Sequence, residues 1–247
     1  MLEKYYYDLH IHSCLSPCAD EDMTPNNIAG MAAIKGLQIL ALTDHNSCKN
    51  CPAFFDACKK NGIIPIAGAE VTTAEDVHMI CLFPTLEDAM NFDSALESYK
   101  IPYKNDPEVY GEQLILDSND EVIGVEENLL VNATVLDIDS LYSFVRDFNA
   151  LIYPAHIDRE ANGIVSVLGT LPQEPDFSSY EFHFSDKIEE YKERFSTLKQ
   201  KPIVVSSDAH FLWDINEADN AFEFSIENYS SKAVRECVFS YLNGENK

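Results

Sequence analysis

Short apolar runs alternate with longer amphipathic segments along most of the chain. Apolar runs bounded by polar or turn-forming residues are typical of strands, whereas the longer segments have the spacing of helices. Repeated strand-then-helix units indicate a mainly parallel sheet, either open or closed as a barrel, with its ligand site at the carboxyl ends of the strands. The predicted strands are YYYDLHIH, QILALTDH, IIPIAGAEV, HMICLF, ALIYPAH, YEFHF and PIVVSSDAH.

The predicted helices begin and end at residues that favour helix termini. In TPNNIAGMAAIKGL, Thr24 can cap the amino end, Pro25 suits the first turn and Gly36 suits the stop. NCPAFFDACKKNG is predicted to end at Gly62, and Ser230 is predicted to cap the last helix, SSKAVRECVFSYL. DSLYSFVRDFN and DKIEEYKERFSTLKQ are also predicted to be helical. These helices separate the predicted strands, as βα units require.

The α/β alternation is interrupted after Phe83. Residues from about 84 to 132 are acidic and irregular, and EQLILDSNDEVIGVE predicts a hairpin that turns at Asn119 and Asp120. We therefore expect residues 84–145 to form a small inserted cap subdomain, and residues 1–83 and 146–247 to form the α/β core.

Composition narrows the range of partners but says nothing about the oligomeric state. The formal net charge is −25, from 42 acidic and 17 basic residues. Such a chain repels polyanions, so we expect no stable binding of long nucleic acids, although bound cations would let a small anionic substrate approach. No segment resembles a transmembrane span, and MLEKYYYD lacks a signal-peptide pattern. We therefore expect a cytoplasmic protein with no membrane partner.

Six of the seven histidines lie at or near the ends of predicted strands. Residues i and i+2 of a strand project to the same face, so HIH presents two imidazoles together and DAH presents a carboxylate beside an imidazole. One such pair is weak evidence, but its recurrence at corresponding ends of successive βα units predicts a metal centre. Mixed imidazole and carboxylate ligands suit zinc, manganese or iron and are poor for calcium. The candidates are His10, His12, His45, Glu70, His78, His156, Asp208 and His210.

Five segments, taken in order along the chain, resemble the motifs of the PHP family, named for polymerase and histidinol phosphatase. They are DLHIHS, LALTDHN, GAEVTT followed by His78, YPAHIDR and SSDAH. The resemblance implies a distorted (β/α)7 barrel with two or three divalent metal ions (manganese, zinc or iron) at the carboxyl ends of its strands. It also implies metal-dependent hydrolysis of a phosphoester. The position of the insertion resembles the branch that includes nucleotide phosphatases and small exonucleases.

The resemblance also implies a role for each ligand. Glu70 would bridge two metal ions, and a further ligand would follow the HIH pair in the chain. Asp20 is the best match for that ligand, with Glu21 and Asp22 as alternatives. The remaining ligands would be His10, His12 and Asp208 at the first metal ion, His45 at the second, and His78, His156 and His210 at the third.

Three residues are candidates for direct roles in catalysis. His156 or His210 could act as a general acid if it is not fully engaged as a ligand. Arg159 could grip a phosphate through two parallel hydrogen bonds, the alternative being a surface salt bridge in a very acidic protein. Asp44 is predicted to orient a neighbouring ligand. His183 matches no motif and is predicted to be structural.

The seven cysteines are predicted to be reduced, because the chain shows no secretion signal. Cys14 and Cys18 follow the HIH pair, and Cys48 and Cys51 follow His45, so these four thiols could converge beside the metal centre. One hypothesis is a separate four-cysteine zinc or iron–sulfur site, or a redox-sensitive lid. We favour the other hypothesis, in which four reduced cysteines fill small spaces.

The leading functional hypothesis is a metal-dependent phosphoesterase. It would hydrolyse a small phosphorylated substrate, such as a nucleotide or a short oligonucleotide, through a metal-activated water. The alternatives are a histidinol-phosphate phosphatase and a metal-binding regulatory PHP domain without turnover. The set of nine candidate ligands favours turnover, and the acidic composition favours a small substrate over long nucleic acid.

Overall fold

A computed structural model of the protein describes residues 2–245. Strands and helices alternate along the chain, with short 3₁₀ helices between some of them. None of the helices in the described range has the length and apolar character needed to cross a membrane. The elements are β1 (Glu3–Asp8), α1 (Pro25–Lys35), β2 (Ile39–Leu42), α2 (Cys51–Lys60), β3 (Ile64–Thr72), β4 (His78–Phe83), α3 (Leu86–Leu96), α4 (Pro107–Tyr110), β5 (Leu114–Leu116), β6 (Val122–Val125), α5 (Ile138–Val145), β7 (Leu151–Pro154), α6 (Ile164–Leu168), β8 (Tyr180–Phe182), α7 (Ile188–Arg194), β9 (Ile203–Val205), β10 (Ala221–Phe224) and α8 (Ser231–Leu242).

Seven strands curl around the centre of the molecule. The main sheet has the order β10-β1-β2-β3-β4-β7, and β8 pairs in parallel with β9. A hydrogen bond from the Ile157 N–H to the Glu181 carbonyl links the end of β7 to β8, and a parallel bridge between Ile11 and Ala209 links the loops after β1 and β9. The strands β1, β2, β3, β4, β7, β8 and β9 therefore form a distorted barrel, which confirms the predicted fold class.

The strand β4 runs in the opposite direction to its neighbours. It pairs antiparallel with both β3 and β7, and His78 lies opposite Thr72 at the carboxyl end of β3. This reversal explains why His78 begins its apolar run whereas the other candidate histidines follow theirs. The first residue of a reversed strand reaches the same end of the barrel as the last residues of the parallel strands.

Alternation along the strands separates an inner face from an outer face. On β3, Ile64, Ile66 and Glu70 share one face, and on β4 His78 shares a face with Ile80. The apolar members of these faces join one buried cluster, while their neighbours in sequence join a larger cluster beneath the helices. The inner cluster is completed by side chains of α8, namely Val234, Val238 and Leu242. One end of the inner face is thus apolar, and Glu70 and His78 lie at the other.

Most of the predicted helix termini are confirmed. The Thr24 hydroxyl accepts a hydrogen bond from the Asn27 N–H, and α1 ends at Gly36 with a left-handed φ of 78°. The Ser230 hydroxyl accepts a hydrogen bond from the Ala233 N–H at the start of α8. The long helix predicted for DKIEEYKERFSTLKQ is wrong in extent, because α7 ends at Arg194 and a 3₁₀ helix follows it.

The segment 84–145 contains more regular structure than its composition indicated. The predicted hairpin is confirmed as β5 and β6, with Asp120 in the turn at a φ of 63°. The helix α3 was not predicted, and its buried Phe92 packs on Phe83 of β4 with ring centroids 4.8 Å apart. The strand β10, which pairs antiparallel with β1, was also missed. The division into a core and an inserted subdomain stays a prediction.

Two glycines provide a matched test of packing in this fold. A Cβ atom at Gly68 in β3 would lie 2.9 Å from the Cys81 carbonyl oxygen and 2.9 Å from side-chain carbons of Leu82 and Thr43, whereas nothing lies within 4 Å of one at Gly30 in α1. We expect Gly68→Ala to lower the free energy of unfolding by about 1–3 kcal/mol through overpacking. We expect Gly30→Ala to raise it by about 0.5–1 kcal/mol, because alanine is the better helix former. Urea denaturation would measure both free energies of unfolding. Equal changes in the two variants would contradict the close packing around Gly68.

Candidate metal centre

Eight predicted ligands converge at the carboxyl ends of the parallel barrel strands. Glu70 lies in β3 and His78 begins β4, and the other six lie in the loops that follow β1, β2, β7 and β9. Seven of them form three overlapping groups that could each hold a metal ion, with ligand atoms within 4.8 Å of one another. The groups are His12, His45 and His210; His10, His12, Glu70 and Asp208; and His45, Glu70 and His78. His156 is next to these groups, because its Nε2 lies 3.1 Å from Oε1 of Glu70.

Glu70 is the centre of this arrangement, with a side chain that is only 1% exposed. Burial by itself would raise the pKa of its carboxyl, but His78, His10 and His45 hold that pKa well below its usual range. Glu70 is therefore ionised at neutral pH and depends on positive charge around it. Its oxygens lie within 3.4 Å of ring nitrogens of His10, His12, His45, His78 and His156.

The tautomers of His10 and His12 follow from the partners of their outer nitrogens. Nδ1 of His10 donates to Oε1 of Glu181 at 2.8 Å, so Nε2 is the nitrogen that would bind a metal ion. Nδ1 of His12 donates to Oγ of Ser16 at 3.0 Å, because the Ser16 hydroxyl itself donates to Asp44. The two Nε2 atoms face each other at 3.0 Å. Two lone pairs tolerate this approach only with a proton or a metal ion beside them.

Asp44 organises the loop that carries His12. Its carboxylate accepts hydrogen bonds from the backbone N–H and the hydroxyl of Ser13, both at 2.7 Å, and from the Ser16 hydroxyl at 2.8 Å. The Ser16 oxygen also accepts from the backbone N–H of His45 at 3.1 Å. Asp44 therefore orients His12 through Ser16, in agreement with its predicted orienting role.

Two candidate ligands have a rare backbone conformation. The φ angle is 53° at Asp208 and 26° at His156, a region that few residues other than glycine adopt. In this conformation Oδ1 of Asp208 lies 3.2 Å from Nε2 of His10 and 3.1 Å from Nε2 of His12, and Oδ2 pairs with Arg159. Backbone strain of this kind persists only where the surrounding structure holds it, and it is frequent at functional sites.

His210 presents a neutral imidazole to the centre. Its Nδ1 donates to the Asp208 carbonyl at 2.8 Å, which leaves the lone pair of Nε2 available. Burial and the neighbouring His12 lower the pKa of His210 to about 3. Its ring stacks on that of His12 with centroids 4.4 Å apart. A neutral imidazole with a free nitrogen suits a metal ligand.

Glu181 is a functional residue that the sequence interpretation missed. It lies in the middle of β8, is buried, and its Oε1 accepts hydrogen bonds from Nδ1 of His10 at 2.8 Å and from the backbone N–H of His156 at 3.1 Å. A single acid inside the short apolar run YEFHF was the available signal. Buried carboxylates require partners, and here the partners are two of the candidate ligands.

The structure does not bring Asp20 into the centre, so the expectation for the ligand after the HIH pair is not met within the described residues. Oδ1 of Asp20 instead accepts a hydrogen bond from the backbone N–H of Asp22 at 2.9 Å. The loop does return to the site, because the Asp20 N–H donates to the His210 carbonyl at 2.9 Å. Glu21 and Asp22 are exposed and belong to none of the candidate metal groups.

The four cysteines near the site do not form a site of their own. Cys48 and Cys51 are buried, and their thiols lie 3.3 Å and 3.7 Å from the Gly68 carbonyl oxygen. Cys14 is also buried, whereas Cys18 is exposed and lines the cavity over the metal centre. No group of potential metal ligands within residues 2–245 combines these thiols. The structure therefore does not assemble the hypothesised four-cysteine site: Cys48 and Cys51 share the Gly68 carbonyl inside the core, whereas Cys18 is exposed.

Open space lies beside the candidate ligands. A cavity of about 280 Å³ is lined by Glu70, His78, His156 and Arg159 among others. A second, more polar cavity of about 510 Å³ shares Arg159, Asp208 and His210 with the first and also contacts His183. The two cavities are therefore adjacent, with Arg159, Asp208 and His210 in contact with both.

The side chains at this site have the donor atoms that divalent metal ions require. Oε2 of Glu70, Nδ1 of His45 and Nδ1 of His156 are buried without hydrogen-bond partners among the described residues. The first two atoms lie 3.0 Å apart. An unsatisfied buried polar atom costs about 1–3 kcal/mol, and a cation beside these atoms would remove that cost. Imidazoles mixed with carboxylates are the donor set that zinc, manganese and iron prefer.

The chain belongs to the PHP domain family, whose model matches residues 8–143. Over 77 residues the chain is 35% identical to the error-prone DNA polymerase of Symbiobacterium thermophilum, covering 31% of this chain and 7% of that protein. Over 213 residues it is 24% identical to the PolC-type DNA polymerase III of Thermotoga petrophila, covering 83% of this chain and 13% of that one. The chain therefore matches only a small part of the length of either polymerase.

Solved structures share the fold at low sequence identity. The lesion-specific endonuclease Q of Pyrococcus furiosus superposes with a TM-score of 0.68 at 19% identity, covering 99% of this chain and 57% of that one. A protein of Bifidobacterium adolescentis that has been assigned as a metal-dependent phosphoesterase has a TM-score of 0.60 at 15% identity, with 97% of each chain covered. An amidohydrolase of Chromobacterium violaceum with bound sulfate has a TM-score of 0.55 at 18% identity, covering 87% and 91%. These likenesses support the PHP-type barrel.

Glu181 provides a test of the support behind the metal ligands. We expect Glu181→Gln to weaken divalent metal binding by about 10–100-fold, because it removes the charged acceptor that fixes the His10 tautomer. Isothermal titration with zinc or manganese would measure the change. Glu193→Gln, an exposed change in α7, is the matched control and should leave the affinity unaltered. Equal affinities for the two variants would show that Glu181 does not support the site.

His12 and His45 make the stability of the metal-free centre depend on pH. Burial lowers the pKa of each imidazole, but Asp208 and Glu70 raise it to about 9 in His12, and Glu70 raises it to about 9 in His45. Their stabilisation is thus complete below about pH 6.5, the unfolded value, and is lost as the pH rises through about 9. We expect the free energy of unfolding of EDTA-treated protein to fall by roughly 3 kcal/mol for each of the two imidazoles across this range.

The metal-loaded protein is the control for this pH dependence. It should not show the fall, because metal-bound imidazoles carry no proton to lose. Urea denaturation of both forms at closely spaced pH values would measure the difference. Parallel curves for the two forms would contradict the assignment of His12 and His45 to the metal centre.

Proposed function

We propose that this protein is a metal-dependent phosphoesterase that hydrolyses a small phosphorylated substrate, such as a nucleotide or a short oligonucleotide. The observation that carries the proposal is the set of histidines and carboxylates around Glu70, beside an open cavity that also contains Arg159. Membership of the PHP domain family supports it.

The candidate ligands suffice for two or three divalent metal ions. Bound there, such ions would neutralise phosphate oxygens and lower the pKa of a bound water that attacks phosphorus. Glu70 is proposed to be shared between two of the ions, because it belongs to two of the candidate groups. The proposed ligands are His10, His12, Glu70 and Asp208 for one ion, His45, Glu70 and His78 for a second, and His156 and His210 for a third.

Arg159 is proposed to bind the phosphate of the substrate. Its guanidinium lines the cavity and is anchored by its pair with Oδ2 of Asp208. The side chain is 37% exposed, so donors remain open to a ligand. Parallel N–H groups of a guanidinium match two phosphate oxygens, which gives this residue an orienting role that a lysine would not fill as well.

His156 is the better candidate for the general acid. The low pKa of His210, about 3, leaves that imidazole without a proton at pH 7, which favours a ligand role. His156 also lines the cavity, and its Nδ1 has no hydrogen-bond partner among the described residues. We propose that His156 acts as the general acid when only two ions are bound and its imidazole is not a ligand.

A small substrate is favoured over a long nucleic acid. The formal net charge of −25 opposes the approach of a polyanion, and among residues 2–245 Arg159 is the only lysine or arginine that lines the first cavity. One structural neighbour is an endonuclease Q bound to a 27-mer duplex with an abasic lesion at the active site. That likeness makes a DNA duplex an alternative substrate to test, alongside histidinol phosphate.

The test is a substrate panel with the purified, manganese- or zinc-loaded protein. The panel contains phosphomonoesters, nucleotide bisphosphates, histidinol phosphate, short single-stranded oligonucleotides and a duplex with an abasic site. We expect metal-dependent phosphate release from a small member and no cleavage of the duplex. Turnover of no member, with bound metal verified, would favour a regulatory domain without activity.

Two arginine variants test the proposed role of Arg159 in phosphate binding. Arg159→Ala should raise KM for the best substrate by about 10–100-fold, because it removes charge-assisted hydrogen bonds worth about 1.5–3 kcal/mol. Arg146→Ala is the control, since Arg146 is exposed and lies over the Tyr142 ring. Equal KM values for the two variants would rule out phosphate binding by Arg159.

A further inference from the structure

We propose that the thiolate of Cys18, and not a carboxylate of the acidic run that follows it, is a ligand of the metal centre beside His45. The inference rests on the proposed metal centre but not on the reaction that the centre catalyses. It would give the centre a sulfur ligand in addition to the imidazoles and carboxylates described above.

The position of Cys18 is the first observation. It lines the cavity over the centre together with His45, His78 and His210, and its thiol lies within hydrogen-bonding reach of the His45 imidazole. It is the only cysteine among the residues that line this cavity. Cys18 belongs to none of the three groups whose ligand atoms lie within 4.8 Å of one another, so its side chain would have to rotate towards His45 to bind the same ion.

The backbone on both sides of Cys18 is held in place. The Ser16 hydroxyl is fixed by Asp44, and the Ser16 carbonyl accepts a hydrogen bond from the Ala19 N–H at 2.9 Å. After the cysteine, the Asp20 N–H donates to the His210 carbonyl at 2.9 Å. The loop therefore presents Cys18 to the site from two anchors, each of which contacts a candidate ligand or its support.

Buried atoms without partners provide the second, independent observation. Nδ1 of His45 and Oε2 of Glu70 have no hydrogen-bond partner among the described residues, although their side chains are only 5% and 1% exposed. Both residues line the same cavity as Cys18. A cation held between these atoms and the sulfur would satisfy all three groups.

The carboxylates nearby are poorer candidates for this position. Asp20 uses its Oδ1 to cap the N–H of Asp22, and neither Glu21 nor Asp22 lines the cavity. Metal binding by Cys18 would release the thiol proton to solvent and form a metal–sulfur bond, with no change in oxidation state. A thiolate beside imidazoles favours zinc or iron over manganese.

Cobalt substitution tests the metal–sulfur bond directly. The metal-free full-length protein is loaded with Co²⁺, which has a strong thiolate-to-metal charge-transfer absorption when sulfur is bound. We expect this band in the wild type and in Asp20→Asn and Cys237→Ser, and its loss in Cys18→Ser. Cobalt content and circular dichroism of each variant show whether metal is bound and the fold is retained.

Alkylation provides a second measurement that does not require a variant. Cys14, Cys48, Cys51, Cys58 and Cys81 are buried, so iodoacetamide should react with exposed Cys18 and, more slowly, with the half-buried Cys237. We expect zinc to block the modification of Cys18, read by peptide mass spectrometry, and to leave Cys237 unchanged.

The outcomes distinguish failure of the Cys18 assignment from failure of the proposed metal centre. Bound cobalt without the charge-transfer band, or a band that survives in Cys18→Ser, overturns the Cys18 assignment and leaves the proposed function standing. Bound cobalt without the band in the wild type, together with weaker cobalt binding by Asp20→Asn and Cys18 still alkylated in the presence of zinc, would assign the position to the carboxylate instead. Failure of the wild type to bind any divalent ion overturns both proposals.

Discussion

The buried charge of Glu70 is the interaction on which the rest of the centre depends. A carboxylate that is almost fully removed from water is unstable unless positive groups surround it. Five histidines meet this requirement, two from the loop after β1 and one each from the loop after β2, strand β4 and the loop after β7. Glu70 therefore links the loops after β1, β2 and β7 to strands β3 and β4, so the same contacts that prepare a metal site also hold the open end of the barrel together.

The groups around this core set the orientation and the chemistry of the ligands. Glu181 and the Asp44–Ser16 pair hold the outer nitrogens of His10 and His12, which leaves both inner nitrogens free for a cation. The proposed sulfur of Cys18 would add a softer donor and shift the preference among divalent ions. In a chain with a net charge of −25, these cations would also provide the attraction that draws an anionic phosphate into the cavity.

Much of the fold was predictable because its signals are local. Hydrophobic periodicity identified the barrel strands, and Thr24, Gly36 and Ser230 marked helix termini through contacts with residues a few positions away. The histidines at strand ends were equally visible, because a parallel strand delivers its last residues to a shared edge. The missed helix α3 lies in an acidic segment, where the burial of Phe92 against Phe83 outweighs the composition. Such packing depends on a partner surface that a local pattern does not show.

The sequence by itself determined much of the strand and helix order, the positions of the eight candidate ligands along the chain and the family motifs, since each depends on neighbours along the chain. The tertiary structure alone decided the direction of β4, which brings His78 to the site, and the contact of Glu181 with His10, which joins residues 171 positions apart. It also decided that Cys18 faces the cavity while the Asp20 carboxylate caps its own loop. Loop direction and long-range hydrogen bonds are settled by which buried groups find partners, and that depends on the whole folded chain.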